Sequence, residues 1–128
     1  MIMIKIIAEI GINHSGKYLT AKKLIDQAWL SNCWGVKFQY RNIASFYSSS
    51  FEIGDEILSS ELKRNDLSHE EYLKLIEYSK SKNLKVGFSF FRKEDAIKCD
   101  FIKKLDFLKV PSAECLNFDL IKYLLKFN

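Results

Sequence analysis

The sequence has little of several features that would restrict its class. It contains one proline and five glycines in 128 residues, and it has no internal repeat or low-complexity segment. With 48% hydrophobic and 28% charged residues the composition argues against intrinsic disorder, and the length suffices for a sizeable core. We therefore expect residues 1–128 to form one domain or part of one.

Cysteine is scarce and scattered. Cys33, Cys99 and Cys115 are odd in number, widely spaced and without a C-x-x-C pair. This pattern argues against a disulfide framework and a cysteine zinc site, and it favours a reducing cytoplasm.

Long apolar runs and blocks of basic charge are also lacking. No run of about 18 apolar residues predicts a transmembrane helix. The segment Met1–Lys5 leads straight into a predicted strand, which is not the pattern of a signal peptide. The net charge of +4 is spread along the whole chain. We therefore expect neither nucleic acid nor a membrane as a partner.

Two kinds of apolar pattern alternate along the chain. Short runs rich in β-branched and aromatic residues predict strands at 4–10, 36–40, 84–91 and 107–110, the first of them buried on both faces. Helical spacing of apolar residues predicts helices at 19–31, 68–82, 93–104 and from Asn117 onward. This β-α order, repeated four times, predicts an α/β fold with a parallel sheet and helices packed outside it. The irregular residues 41–67 are expected to form an ordered excursion over the active end.

One motif suggests a nucleotide site. The stretch Gly11–Lys17 matches G-x-x-x-x-G-K between a strand and a helix, which is the context of a P-loop. The next position should be Ser or Thr to bind magnesium, and it is Tyr18. No later strand ends in an aspartate suited to hold the metal. A P-loop nucleotide-binding protein is therefore the least favoured alternative.

A second constellation is distributed over the carboxyl ends of the predicted strands, where parallel α/β folds bind their ligands. Two lysines, two hydroxyls and an amide can hold a phosphate and a carboxylate, and the acids add general acid–base capacity or metal contacts. Each residue taken singly could be structural, but all four strands carry such groups at the same end. These residues are Glu9, Asn13, His14, Lys37, Gln39, Ser89, Lys109, Ser112 and Glu114.

Three segments resemble the signature segments of the sialic acid synthase family, which includes N-acetylneuraminate, legionaminate and pseudaminate synthases. They are Ile7–Gly16, Val36–Gln39 and Leu108–Glu114. The resemblance implies a (β/α)8 TIM barrel followed by an antifreeze-like domain, with residues 1–128 forming the N-terminal half of the barrel. It also implies a cytoplasmic transferase, homodimeric at full length. Such an enzyme joins phosphoenolpyruvate to the aldehyde of an N-acyl amino sugar and releases phosphate.

The resemblance also implies a role for each strand-end residue. Lys109, Ser112 and Ser89 would hold the phosphate of phosphoenolpyruvate, and Lys37 would contact the same substrate. Gln39 would contact the sugar. The catalytic set would be Lys37 with Glu9 and Glu114, the two acids lying near the reacting carbons. Asn13 and His14, in the loop that forms a wall of the site, would contact substrate. A divalent metal, manganese or magnesium, would be bound by ligands outside this chain.

The sequence departs from the family pattern in two segments and in length. Ser89 stands where a Ser-Thr-Pro-Phe pattern has threonine, and Ala113 replaces a glycine. The stretch Tyr40-Arg41-Asn42 is more similar to synthases of spore-coat or surface polysaccharides. Because four βα units are half of a barrel, we expect this chain to be inactive by itself. The alternative from another class is a non-catalytic α/β binding or assembly module that retains the scaffold.

Overall fold

A computed structural model of the chain describes residues 4–41, 60 and 64–127. Four parallel strands form one sheet in the order β1-β2-β3-β4, and a helix follows each strand. The strands are Ile7–Gly11, Gly35–Tyr40, Lys85–Phe90 and Phe107–Lys109. The helices α1 to α4 are Tyr18–Leu30, His69–Ser81, Lys93–Lys98 and Phe118–Leu124. The predicted α/β class is confirmed, and most of the predicted excursion at 41–67 lies outside the described residues.

The first strand is less buried than predicted. It begins at Ile7 rather than at Ile4, and the exposed fractions are 86% for Ile4, 58% for Ile6 and 41% for Ile7. In the described sheet β1 pairs only with β2, so one of its edges has no neighbouring strand. The prediction that this strand is buried on both faces is therefore wrong.

The helices differ from the prediction in two details. α3 ends at Lys98 because Cys99 adopts an extended backbone (ψ 101°), which places Cys99 and Phe101 in the core before a short 3-10 helix at Ile102–Lys104. Trp29, predicted on the buried stripe of α1, is 47% exposed. No helix in the described ranges is long and apolar enough to cross a bilayer.

The core lies between the sheet and its helices and is rich in aromatic rings. Phe88 on β3 is its centre, with ring centroids 5.4 Å from Phe38, 5.3 Å from Tyr72 and 5.3 Å from Phe101. Because side chains alternate along a strand, burying Phe38 against the helices turns Lys37 to the opposite face of the sheet.

The start of α2 is fastened to the end of β2. The predicted capping box is confirmed: the Glu71 N–H donates to Ser68 Oγ at 3.2 Å, and the Ser68 N–H donates to Glu71 Oε2 at 2.8 Å. One residue further on, the hydroxyl of Tyr72 donates to the carbonyl of Gln39 at 3.1 Å. The cap therefore helps to position the strand end that carries Gln39.

Candidate active site

Lys37 connects three strands near their carboxyl ends. Its Nζ lies 2.8 Å from Glu9 Oε2 on β1 and 2.7 Å from Ser89 Oγ on β3. Glu9 is directly opposite Lys37 in the parallel register, and Ser89 is opposite Gln39. The structure thus brings three of the predicted site residues into direct contact.

The Lys37 ammonium is poorly solvated. The Lys37 side chain is 5% exposed, whereas that of Glu9 is 51% exposed. Burial lowers the pKa of Lys37, the hydrogen bond and charge of Glu9 oppose this shift, and the positive charge of Lys109 adds to it. Since Lys37 donates to Ser89 Oγ, the hydroxyl proton of Ser89 is not used in this bond. This arrangement is suited to bind an anion.

Gly11 keeps the space beside the Glu9 carboxylate open. Its φ is +54°, and the register between β1 and β2 shifts between Glu9 and Gly11, as in a β-bulge. A β-carbon at Gly11 would lie 3.2 Å from Glu9 Oε1 and 3.5 Å from Gln39 Nε2. Gln39, the predicted sugar contact, is therefore placed next to the carboxylate predicted to face the aldehyde.

The fourth strand brings the remaining predicted residues to the same end of the sheet. Lys109 is opposite Ser89 in the register. Ser112 is exposed and begins the 3-10 turn Ser112–Glu114 that follows the strand. Glu114 Oε2 accepts a hydrogen bond of 2.8 Å from Asn117 Nδ2, and Asn117 also caps α4. The helix start therefore orients the Glu114 carboxylate.

The loop after β1 places Asn13 and His14 in different surroundings. Asn13 is exposed, whereas His14 is fully buried. Nδ1 of His14 accepts the Gly16 N–H at 3.2 Å, and its ring contacts Tyr72 at 6.4 Å between centroids. Burial lowers the pKa of His14. The imidazole is therefore a buried group that supports the loop from inside the protein. The predicted substrate contacts of Asn13 and His14 stay predictions.

The same loop gives no support to the P-loop interpretation. A phosphate-binding loop needs backbone N–H groups that point at the phosphate. The N–H groups of Asn13, Ser15 and Lys17 donate to loop or strand carbonyls, and that of Gly16 donates to His14. These amides are already satisfied within the protein.

The described residues do not form a metal site by themselves. Among them, no three His, Cys, Asp or Glu side chains lie together as a metal would require. Glu9, the acidic residue of the Lys37 contact, is paired with an ammonium. A catalytic divalent cation would therefore need ligands outside the described part of the chain.

Arg41 belongs to this end of the sheet and was not predicted as a site residue. Its guanidinium carbon lies 3.7 Å from the ring centroid of Phe91, the residue after β3. The two-residue spacing of Lys37 and Gln39 on β2, which continues to Arg41 just past the end of the strand, was the signal that could have identified it.

Polar groups gathered at the carboxyl ends of consecutive parallel strands are typical of α/β folds of the TIM-barrel class, and the chain has four βα units of this kind. The chain belongs to the NeuB family, whose sequence profile matches residues 24–128. This confirms the family resemblance, and the profile covers the second and third motif segments, Val36–Gln39 and Leu108–Glu114.

Known proteins that resemble the chain agree with this membership. N-acetylneuraminate-9-phosphate synthase of Drosophila melanogaster is 33% identical over 91% of this chain and 33% of its own length. The N-acetylneuraminic acid synthetase of Leptospira borgpetersenii serovar Hardjo-bovis, solved with citrate, superposes with a TM-score of 0.80 at 26% identity, covering 97% of this chain and 41% of the other. The spore coat polysaccharide biosynthesis protein spsE of Bacillus subtilis superposes with a TM-score of 0.74 at 27% identity, covering 98% of this chain and 34% of the other. The chain spans about a third of the length of the fly relative.

Proposed function

We propose that the full-length protein containing this chain condenses phosphoenolpyruvate with the open-chain aldehyde of an N-acyl amino sugar. The product is a sialic-acid-like nonulosonate, and inorganic phosphate is released. The observation that carries the proposal is the buried Lys37 ammonium, in contact with Glu9 and Ser89 at the carboxyl ends of three strands. One relative is named for a 9-phosphorylated product, so free and phosphorylated amino sugars are both candidate substrates.

Phosphoenolpyruvate binds through the cations and hydroxyls of the site. Lys109 and Ser112 are exposed at the end of β4, where they hold the phosphate together with the Ser89 hydroxyl. Lys37, which lies nearer the middle of β2, contacts the same substrate. Charge-assisted hydrogen bonds of this kind are stronger than neutral ones, and burial of the ammonium strengthens them further.

In the reaction, C3 of phosphoenolpyruvate bonds to the aldehyde carbon, whose oxygen takes up a proton. Water adds at C2, and phosphate leaves by cleavage of its bond to that carbon. Glu9 and Glu114 orient the aldehyde and the water, and Gln39 binds the sugar beside Glu9. The divalent cation that we propose as cofactor, Mn²⁺ or Mg²⁺, has its ligands outside these 128 residues. Cytoplasmic location and a homodimer also remain predictions.

Residues 1–128 alone are proposed to be inactive, because they span about a third of the fly relative's length. The test measures phosphate release from phosphoenolpyruvate, N-acetylmannosamine or its 6-phosphate, and Mn²⁺. We expect turnover by the full-length protein and none by the 128-residue chain. Robust turnover by the short chain would overturn the proposed inactivity. Absence of turnover at full length with a panel of N-acyl amino sugars would favour the non-catalytic module instead.

A further inference from the structure

Arg41 lies directly after β2 on the face of the sheet that carries the site. Lys37 and Gln39 precede it at two-residue intervals and share this face. The neighbouring contacts agree with this placement. Tyr40 packs against Phe90 on the helix side, with ring centroids 5.6 Å apart, whereas Arg41 stacks on Phe91. Arg41 is therefore the next side chain after Gln39 on this face, in the direction of the carboxyl end of the strand, and it is cationic.

The stacking holds the guanidinium in place and leaves hydrogen-bond donors available. Its carbon is 3.7 Å from the centroid of the Phe91 ring, a close cation–π contact. Within the described part of the chain, Nε of Arg41 is buried and makes no hydrogen bond. A guanidinium that meets a ring through its face keeps its N–H groups directed to the side, and because Nε is buried the two terminal Nη groups are the ones that a ligand can approach. Such a pre-oriented fork matches the geometry of a phosphate or a carboxylate.

We propose that Arg41 binds a phosphate monoester at the far end of the amino-sugar substrate and so selects the phosphorylated sugar. The inference rests on the proposed function and names the substrate class of that site. Arg41 is four positions after Lys37, a rise of about 13 Å along an extended chain. A six-carbon sugar with its aldehyde at Glu9 extends past Gln39 in this direction. Phosphoenolpyruvate is proposed to bind to the two lysines and two hydroxyls nearer the sheet, so Arg41 is the cation that can bind the second substrate. These residues are Lys37, Ser89, Lys109 and Ser112.

The test uses the full-length protein and two unreactive probes, N-acetylmannosaminitol and its 6-phosphate, titrated by calorimetry in the presence of phosphoenolpyruvate. We expect the phosphorylated probe to bind at least about tenfold more tightly, as for a charge-assisted hydrogen-bond pair. Arg41→Met should abolish this difference. Arg41→Lys keeps the charge without the fork and should retain only part of it. The matched control is Arg92→Met, which removes a nearby guanidinium that pairs with Glu94 at 3.5 Å and should keep the full preference.

Three outcomes would overturn the inference. They are equal binding of both probes by the unsubstituted protein, an unchanged preference in Arg41→Met, and a loss of phosphoenolpyruvate affinity in that variant without a change in preference. Turnover assays separate this result from the proposed function. Condensation of both sugars with equal kcat/KM contradicts only the role of Arg41, whereas condensation of neither contradicts the proposed function as well.

Discussion

Lysine–carboxylate pairs lie at both ends of the parallel sheet, and they differ in burial. At the amino end, Lys85 Nζ is 3.1 Å from Asp106 Oδ1, and the Lys85 side chain is 50% exposed. Towards the carboxyl end, Lys37 Nζ is 2.8 Å from Glu9, and the Lys37 side chain is 5% exposed. The two pairs share their chemistry but not their surroundings.

The difference separates a pair that supports the fold from one at the end of the sheet that we propose binds substrate. Asp106 also accepts the Val86 N–H at 2.9 Å, so it satisfies a strand backbone group. Partial burial acts to raise the pKa of Asp106, but the bonds from Val86 and Lys85 outweigh it and hold the pKa below its usual range. Lys37 instead has its pKa lowered by burial. In barrels of this kind the amino end serves stability and the carboxyl end serves catalysis.

The largest effect is expected from removing the buried lysine. Lys37→Met should lower kcat/KM for condensation about 100- to 1000-fold, the scale of losing one charge-stabilising donor in an active site. It should cost little stability, because an apolar side chain of similar length replaces a buried charge and the Glu9 carboxylate left behind is 51% exposed to water. Lys85→Met is the matched control and should keep activity close to that of the unsubstituted protein. Equal losses in the two variants, measured by phosphate release, would remove the distinction between the two ends.

At the amino end the expected effect is on stability. Asp106→Ala leaves the Val86 N–H without its partner and should lower the free energy of unfolding by about 1–3 kcal/mol. Asp106→Asn keeps one acceptor oxygen and should lose less. Denaturant unfolding measures both variants, and the activity per folded molecule should be unchanged. An Asp106→Ala variant as stable as the unsubstituted protein would show that this pair does not support the fold.

A smaller effect is expected at the helix that fastens the end of β2. Ser68→Ala removes the acceptor of the Glu71 N–H and should cost about 1 kcal/mol of unfolding free energy. Ser81, near the other end of α2, donates to the Tyr78 carbonyl at an exposed site. Ser81→Ala should therefore stay within about 0.5 kcal/mol. Similar costs for both variants would argue against the capping box.

The smallest effect is a dependence of stability on pH. Burial lowers the pKa of His14 below the usual 6.5, so the unfolded chain takes up this proton first as the pH falls. The contribution of His14 is then fully present above about pH 6.5 and is lost on acidification below it. His14→Asn keeps an acceptor for the Gly16 N–H and removes the titration. Unfolding measured from pH 7 to 5 should show a shallower slope in the variant, and an unchanged slope would contradict the assignment.

The sequence predicted three strands well and β1 less well. β2, β3 and β4 were placed within one residue of their observed bounds because their apolar and turn residues define both ends. For β1, the run from Ile4 to Ile7 contains no information about whether a neighbouring strand is present. The early end of α3 was missed because the apolar spacing continues through Phe101, although the backbone leaves the helix at Cys99.

Strand position predicted which residues meet towards the carboxyl end of the sheet, and distant packing decided the exceptions. Lys37, Ser89 and Glu9 follow from alternation and from the rule that parallel strands bind ligands at their carboxyl ends. A histidine in a polar loop is expected to be exposed, but Tyr72 and Phe38, far away in sequence, cover His14. Arg41 was missed because it lies just past the strand, and its stacking partner Phe91 is fifty residues away.

The most direct test is an NMR titration of labelled lysine side chains in the full-length protein, with and without phosphoenolpyruvate. Because burial dominates the shift, we predict that Lys37 titrates below the ordinary value of 10.5. Bound phosphoenolpyruvate should raise its pKa by adding negative charge, while the Lys85 signals should not respond to this ligand. A Lys37 that titrates at or above 10.5, or that is unaffected by phosphoenolpyruvate, would contradict the assignment of this end of the sheet as the binding site.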